Sequence, residues 1–528
     1  MLSTLTTFKD TWKTLTFGKS EIEYLQNYLF ELEEPLTTQQ LLRALLEHLL
    51  DERKQRAKQE SAAYGKIYYP KERYQLGDVL LFPLLNWARG EVTQVRPGNN
   101  PALGTFEVIQ VKIENDGERL FAASLSNHAL NQASFTMPTA DEDLSVDEVL
   151  QQYGSELEER LEQALLKDQS LVRIAGRWFP RALLIDISKG QLNLAEAVLD
   201  MAAGEPLPTS ALLKDVELPQ GVNPRLAEFS LNYALQEDGR FDEVGAGGQV
   251  LWCLRRLEPP QVQQPPLFLE YTPIPVDTRA LTAEMRELER EVDDEWSDLS
   301  GISSGDEAAV CLIFPHWRAG TLPVSPRAQH LFPTAYESQR VRFTLVDARS
   351  GRKMPAWIVH PHRYVVGLGD WYKEYGLMPG SIVYVRRGEK PEEVIVEARP
   401  RRVTRDWVRT LMIGRDGGVV FATLKQTVPV EFNERMMIAV PDPAVLDKIW
   451  ESGSYRRQSL DTLIVTMMRE LIKTNPQGHV HAQEIYAAVN LVRRCPPAPL
   501  LAILASYPKI VYVGDLYFRL DVSLLEEL

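Results

Sequence analysis

Two histidines flank Pro361, and the spacing of His360 and His362 puts two imidazoles on one face of an extended segment, as a metal site might. No third ligand stands near them, so surface or DNA-facing histidines fit the spacing better than zinc. His479 and His481, at an expected helix start, carry the same reading. Cys253, Cys311 and Cys495 are far apart, odd in number and set in apolar runs. They predict buried, reduced thiols of a cytoplasmic protein, with neither a disulfide framework nor zinc spacing. The sequence contains no Gly-x-x-x-x-Gly-Lys loop, no Gly-x-Gly-x-x-Gly after a strand, no His-Glu-x-x-His and no Gly-x-Ser-x-Gly. No Asp…Glu-x-Lys run of the nuclease kind stands out. The expectation is a protein that is not an enzyme and uses no metal or cofactor.

Charge is the chemistry that remains. A net charge of −15 opposes phosphate binding, but it is unevenly spread. Residues 340–415 hold 16 Lys and Arg against 8 Asp and Glu, a local excess of +8. The stretch 284–298 is the reverse, with Glu287, Glu289, Glu291, Asp293, Asp294 and Glu295 nearly in a row. That stretch predicts a solvated helix followed by a flexible link at 300–305. It reads either as a plain linker or as a DNA-mimicking segment.

The elements that must position these residues follow from periodicity. Residues 1–60 read as helical, with Ile22, Leu25, Tyr28 and Leu29 on one stripe and residues 41–50 on another. Short alternating runs within 64–135 predict a small SH3- or OB-like barrel. Its Tyr64, Tyr68, Tyr69 and Trp87 are either stacking aromatics or half-buried core. Residues 141–170 read as an acidic helical linker. Within 171–258, Leu194, Ala197, Val198 and Met201 recur at helical spacing, and Gly204-Glu205-Pro206 ends that helix. Thr209 or Ser210 can cap a short second helix, and Asn223-Pro224 opens a third with Asn as N-cap. A hairpin around 245–248 completes the order of a winged helix-turn-helix. Its third helix offers Arg225, Glu228, Asn232 and Gln236, and its wing carries Asp242 and Glu243, which would repel phosphate. Such a unit reads more readily as a protein-interaction module than as a groove reader.

The nine residues 34–42 echo 205–213 at Glu, Pro, Leu, Thr, Leu and Leu. They mark either a further helix-turn-helix-like unit or two unrelated helices with similar starts. Prolines at 259–266 read as a stiff spacer, opening a Pro-rich and acidic linker over 259–307. Residues 308–440 carry strand candidates at 310–314, 341–346, 356–359, 364–367, 382–385 and 394–397, with one helix at 370–375. Residues 455–528 repeat the helix, helix, helix, hairpin order as a second winged helix. Near its third helix and wing lie Arg493, Arg494 and Lys509, candidate phosphate ligands.

Residues 191–256 resemble the HARE-HTH family, winged helices found in a bacterial RNA polymerase subunit and in chromatin proteins. The likeness rests on GEPLPTSALL before helix two and DGRFDEV…GQVLWCLRRL in the wing. Residues 308–440 resemble the plant-type pseudobarrel DNA-binding domain, a family also used as the effector domain of some restriction enzymes. That likeness rests on GTLPVSPRAQHLFP, GRKMPAWIVHPHRYVVG and GDWYKEYGLMPGSIVYVRR. Two departures are Asp370 between Gly369 and Trp371, and Ser381 where the family has an acidic residue. The resemblance implies two arms gripping the major groove. One would be the loop with Ser325, Arg327, Gln329 and His330, the other the hairpin with Arg352, Lys353, His360, His362 and Arg363. Arg and Gln can pair with guanine and adenine edges. Arg386, Arg387, Arg399, Arg401, Arg402 and Arg405 would hold phosphate, the bland alternative being a solvated basic face.

The fold expected is therefore an α+β multidomain chain with a small SH3/OB-like barrel, two winged helix-turn-helix domains and a DNA-binding pseudobarrel. The function expected is non-enzymatic binding of double-stranded DNA in a transcription-regulatory or defence setting, with protein contacts through the winged helices and no membrane. Rival readings are a protein-interaction scaffold and the DNA-targeting subunit of a restriction system.

Overall fold

The computed structural model describes residues 12, 15–100, 102, 104–114, 116–133, 135, 145–216, 221–275, 277–299, 305–402, 405–415 and 417–521. The chain is mixed α+β with several separate sheets, and it divides into two compact units, Met1–Leu184 and Ile185–Leu528. No helix among the described residues is long and apolar enough to cross a membrane.

In the first unit, helix Thr38–Tyr64 starts on a reciprocal cap. Thr37 Oγ1 accepts the Gln40 N–H at 3.2 Å, and Gln40 Oε1 accepts the Thr37 N–H at 2.9 Å. Its Leu41, Leu42, Leu45 and Leu46 pack with Ile22, Leu25 and Leu29 of helix Lys19–Leu32, as the two stripes predict. Val149, Tyr153, Leu157 and Leu161 of helix Val146–Leu165 close the same core, so that helix is a core element and not a linker. Strands Leu171–Ile174 and Arg177–Pro180 form a hairpin that pairs back onto Leu36–Thr37. Residues 171–180 thus belong with the N-terminal helices, not with the segment that follows.

Between helices Thr38–Tyr64 and Val146–Leu165 the chain forms a five-stranded sheet, Lys66–Ile67, Val79–Phe82, Ala88–Pro97, Glu107–Ile113 and Gly117–Ala123 in that order. Glu72 and Pro70 carbonyls accept the N–H groups of Ser124 and Leu125 at 2.9 and 2.7 Å, so the sheet curls nearly closed at one end. Tyr68 is interior and donates its hydroxyl to the Ala122 carbonyl at 2.6 Å. It is core rather than a stacking surface, while Tyr69 and Trp87 are half-buried.

The order helix, short strand, helix, helix, hairpin occurs three times among the described residues. Each time the short strand lies beside the last strand of the hairpin. In the first copy Leu36 pairs with Trp178, and Trp178 Nε1 donates to Thr38 Oγ1 at 3.0 Å. In the second Leu207 pairs with Trp252, and Asn232 Oδ1 accepts both Trp252 Nε1 at 2.9 Å and the Thr209 hydroxyl. The nine-residue echo is therefore a structural repeat, with Thr38 and Thr209, and Trp178 and Trp252, in the same places. The third copy is apolar there: Val480 pairs with Phe518, and Ala482 opens the helix.

Three expectations for the second copy are corrected. Asn232 is buried in that network and cannot read a base. The Thr209 hydroxyl is spent on it, and the helix opens from Pro208 without a side-chain cap. In helix Lys189–Met201 the buried face is Leu192, Ala195 and Leu199, whereas Leu194 and Met201 point outward. Two apolar stripes overlap on that helix, and periodicity alone does not choose between them.

A seven-stranded sheet dominates the second unit. Its strands run Glu307–Cys311, Ile382–Arg387, Glu393–Glu397, Arg340–Asp347, Lys353–Val359, Tyr364–Val366 and Thr321–Pro323. Only Arg340–Asp347 and Glu393–Glu397 run parallel. Helix Gly369–Tyr375 drives Trp371 and Tyr372 into its core. Strands Arg405–Ile413 and Val419–Thr427, which the sequence reading missed, form a long hairpin joined by Ile438–Ala439. Leu411, Val419 and Phe421 of that hairpin share a core with helices Leu460–Ile472, Ala482–Val489 and Pro497–Ser506. Residues 308–440 are thus not closed off from the C-terminal repeat. The prolines at 259–266 are no spacer either: helix Pro260–Gln263 buries Val262 against Cys253, Trp357 and Tyr364.

The acidic run is the largest correction. Helix Ala283–Val292 ends on Asp293 at φ 50°, and Asp293, Asp294, Glu295 and Ser297 turn inward and are buried. Arg494, also buried, sets Nη2 2.6 and 2.7 Å from the two Asp294 oxygens and 2.7 Å from Glu295 Oε1. Tyr486 donates its hydroxyl to Asp294, and His316 Nε2 lies 3.0 Å from Glu295. Against burial, Arg494 and then His316 hold the Glu295 carboxyl down at about 2. Removing one partner of such a cluster leaves charges buried and unpaired. Arg494→Leu is expected to lower unfolding stability by about 3–5 kcal/mol, with part regained when Asp294→Asn is added. Denaturant titration of the full chain reads this, and a loss under about 1 kcal/mol would contradict the clamp.

Candidate nucleic-acid interface

The two arms inferred from the sequence meet at one end of the seven-stranded sheet. The Val324 N–H donates to the Arg363 carbonyl at 2.8 Å, which sets Ser325 beside Arg363. The acidic segment crosses this junction. Ser325 is buried and donates to Asp293, and Arg327 Nη2 donates to the Arg290 carbonyl at 2.7 Å. Arg363, itself at φ 52°, donates to the Glu295 carbonyl at 2.7 Å and sits 5.4 Å over the Trp296 ring. The two arginines are thus held by main-chain carbonyls and one aromatic ring. The buried carboxylates of Asp294 and Glu295 go to Arg494, Tyr486 and His316, so this segment packs as structure and not as a string of phosphate-like charges.

His360 and His362 lie in a 3₁₀ turn, not on a strand face. His360 Nε2 is 3.1 Å from the Pro333 carbonyl, and burial pulls its pKa down; His362 stacks on Tyr364 with its pKa also lowered, by burial and then by Arg340. No group of three or more metal-ligating side chains occurs among the described residues. All three cysteines are free thiols, each pushed up by burial, Cys253 to about 11 and Cys311 and Cys495 to about 12.

The other members of the second arm stand apart. Arg352 and Lys353 are at the far end of strand Lys353–Val359, about 20 Å from His360 at strand rise. They pair with Glu374 and Glu393, each at 2.6 Å. Gln329 is exposed, and His330 Nε2 is 2.8 Å from the Gly305 carbonyl. The structure therefore splits the base-reading candidates between two ends of the sheet.

The phosphate candidates divide by partner. Arg399 pairs with Glu307 at 2.8 Å and lies 3.5 Å over the Tyr384 ring, and Arg387 Nε donates to the His330 carbonyl at 3.2 Å. Arg401 is 3.3 Å from Asp406 and 4.9 Å over Phe432. Arg386, Arg402 and Arg405 are exposed and form no ion pair among the described residues. Arg493 donates to the Gln458 carbonyl at 2.8 Å, and Lys509 is half-exposed. Arg494 is withdrawn as a phosphate ligand, since no part of its side chain reaches solvent. In the second repeat Arg225, Glu228 and Gln236 stay exposed on helix Pro224–Glu237.

The sequence reading missed Trp407. Arg405 opens the 405–427 hairpin, in which Trp407 is 67 % exposed. Trp407 pairs across the hairpin with Lys425, whose ammonium lies 5.1 Å from the ring. The alternation of Arg405, Trp407 and Arg409 with Val408 and Thr410 was a strand signal in plain view. Beside Trp407 a groove of about 600 Å³ is lined by Arg409, Phe432, Arg435, Asn475, Glu484 and Tyr517, among others.

The hairpin of the second repeat faces inward. The Arg342 N–H donates to the Val244 carbonyl at 2.9 Å, and Arg342 bridges Glu205 at 2.8 Å, so the hairpin tip lies along the edge of strand Arg340–Asp347. At Gly247, φ 64°, a side chain would strike Pro391. Asp242 and Glu243 are buried at this contact, so they are docking residues rather than a phosphate-repelling surface. Glu243 accepts N–H groups from Gly245, Tyr336 and Glu337, each at 3.1 Å, and burial pushes it up to about 7. Glu258, 3.1 Å from Arg340, is pushed up to about 8 by burial and by Asp242.

No family model, curated protein or solved structure matches the chain. The geometry of the site has to carry the functional argument.

Glu258 yields a test of the docked contact. Its folded pKa of about 8 exceeds its ordinary 4.5, so folding takes up a proton between those values, and stability falls as pH rises across that window. Glu258→Gln is expected to flatten that fall, gaining on wild type at pH 8 relative to pH 5. Thermal unfolding midpoints at pH 5, 6.5 and 8 check it, and parallel curves for the two proteins would refute it.

Proposed function

We propose that this chain is a non-enzymatic DNA-binding protein that grips duplex backbone through Arg386, Arg402 and Arg405. The carrying observation is that these exposed cations form no ion pair among the described residues of a chain with net charge −15. Arg399, Arg401 and Arg409 nearby are neutralised in cis, and uncompensated cations on such a chain concentrate local positive potential. In this reading the three repeats are winged helix-turn-helix units, the five-stranded sheet is an SH3-like barrel, and the seven-stranded sheet is a pseudobarrel. Arg352, Lys353 and Gln329, exposed at its surface, are its remaining base-reading candidates. The Arg352–Glu374 and Lys353–Glu393 pairs involve exposed cations, and such contacts contribute about 0–1 kcal/mol, so a nucleic acid can displace them.

A second reading has its own support. The hairpin of the second repeat and Arg494 of the third are both spent on protein contacts within the chain. Units used this way suit a scaffold, in which the same modules also bind partner proteins.

Salt dependence separates the two. Duplex affinity of the full chain is expected to fall steeply with ionic strength, and Arg402→Ala with Arg405→Ala should flatten the log–log slope by about two units on every sequence. Fluorescence anisotropy between 50 and 200 mM salt measures it. Absence of duplex binding at 50 mM by the folded chain would favour the scaffold.

A further inference from the structure

We propose that the Trp407 groove binds an unpaired nucleotide, so that this protein recognises duplex DNA with a single-stranded extension. The inference rests on the nucleic-acid reading above and adds a ligand class to it. Trp407 leaves two thirds of its surface in solvent even with Lys425 over the ring, and it follows Arg402 and Arg405 closely in the chain. A base is the ligand whose flat, apolar face matches an open indole, and stacking tolerates any sequence. The adjoining groove, about 600 Å³, is within the size range of small-ligand sites, and Tyr517 and Phe432 supply further aromatic walls.

Charge selects an anion over a basic peptide. Of the acids lining the groove, Asp406 is paired with Arg401 at 3.3 Å and Glu484 with Arg409 at 2.6 Å. That leaves Glu434 against Arg435 in the groove, Lys425 and Arg405 on the same hairpin, and Arg402 three residues before it. A nucleotide can set its base against Trp407 while its phosphates reach these cations. Trp407 cannot stack on a base inside a duplex, because neither face of that base is free.

The test uses the full chain and labelled oligonucleotides in fluorescence anisotropy. A blunt duplex is compared with the same duplex carrying a six-nucleotide dT tail, and with one whose tail is abasic. The dT tail is expected to tighten binding about tenfold, in the range of one stacked base. The abasic tail should lose that gain, although its phosphates are unchanged. Trp407→Ala should lose it too, with no further loss when both changes are combined, and Trp407→Phe should keep most of it. Trp407 is largely exposed, so its replacement leaves the core intact. A tail that adds nothing to a bound duplex, or an abasic tail that binds as well as dT, overturns the inference while the duplex reading stands. Tail binding without blunt-duplex binding supports the groove and removes the duplex reading. Equal displacement of the dT tail by polyglutamate of matched charge would also overturn it, since the groove would then select acidic partners.

Discussion

The second unit depends on a guanidinium that no water reaches. Arg494 stands between Asp294 and Glu295, and through them the C-terminal repeat is joined to the distant 283–297 segment and the His316 helix Phe314–Ala319. Taking these charges from water costs several kcal/mol per ion, which only their mutual pairing and the Tyr486 hydroxyl offset. A cluster of this kind adds little net stability over an apolar replacement. It does penalise every arrangement in which the segment and the repeat are mismatched. The same segment also fixes Ser325 and Arg363, so the geometry of the sheet end is set by the clamp.

A hairpin that in isolation would offer open edges is used twice as internal mortar. In the second repeat its tip lies beside strand Arg340–Asp347, and in the middle of the unit the 405–427 hairpin shares its apolar face with the C-terminal helices. Both devices cover strand edges and apolar surface that would otherwise invite aggregation. Both also mean that fragments cut at the apparent domain borders expose residues such as Leu411, Phe421 and Val244.

Local signals were legible and distant partners were not. Asn223 as N-cap, the helix Leu460–Ile472 and the strands near 341, 382 and 394 all follow from periodicity and turn chemistry within a few residues. The Glu-Pro-Leu echo was visible too, though only the Trp178 and Trp252 registers show why those residues recur. The acidic run misled because carboxylates in a row look solvated until a partner 200 residues away is known. Asn232 misled for a related reason: an amide on a third helix looks like a base reader when its Trp252 and Thr209 partners are unseen. Trp407 was missed because the basic run before it drew the reading toward phosphate and away from the strand that follows.

The five-stranded sheet interrupts the first repeat between its second and third helices. The paired residues Leu36 and Trp178 are therefore 142 residues apart, whereas Leu207 and Trp252 in the second repeat are 45 apart. For a flexible chain the longer loop costs only about 1 kcal/mol more in closure entropy, and an inserted sheet that folds first shortens the effective loop. Order of formation changes more than stability. During synthesis the N-terminal helices emerge with an unfilled strand position beside Leu36, and they wait for the entire inserted sheet before the Trp178 hairpin arrives. Non-local pairing of that kind is slow. The second repeat, whose parts are contiguous, closes on its own schedule, so one architecture is assembled by two different folding histories in the same polypeptide.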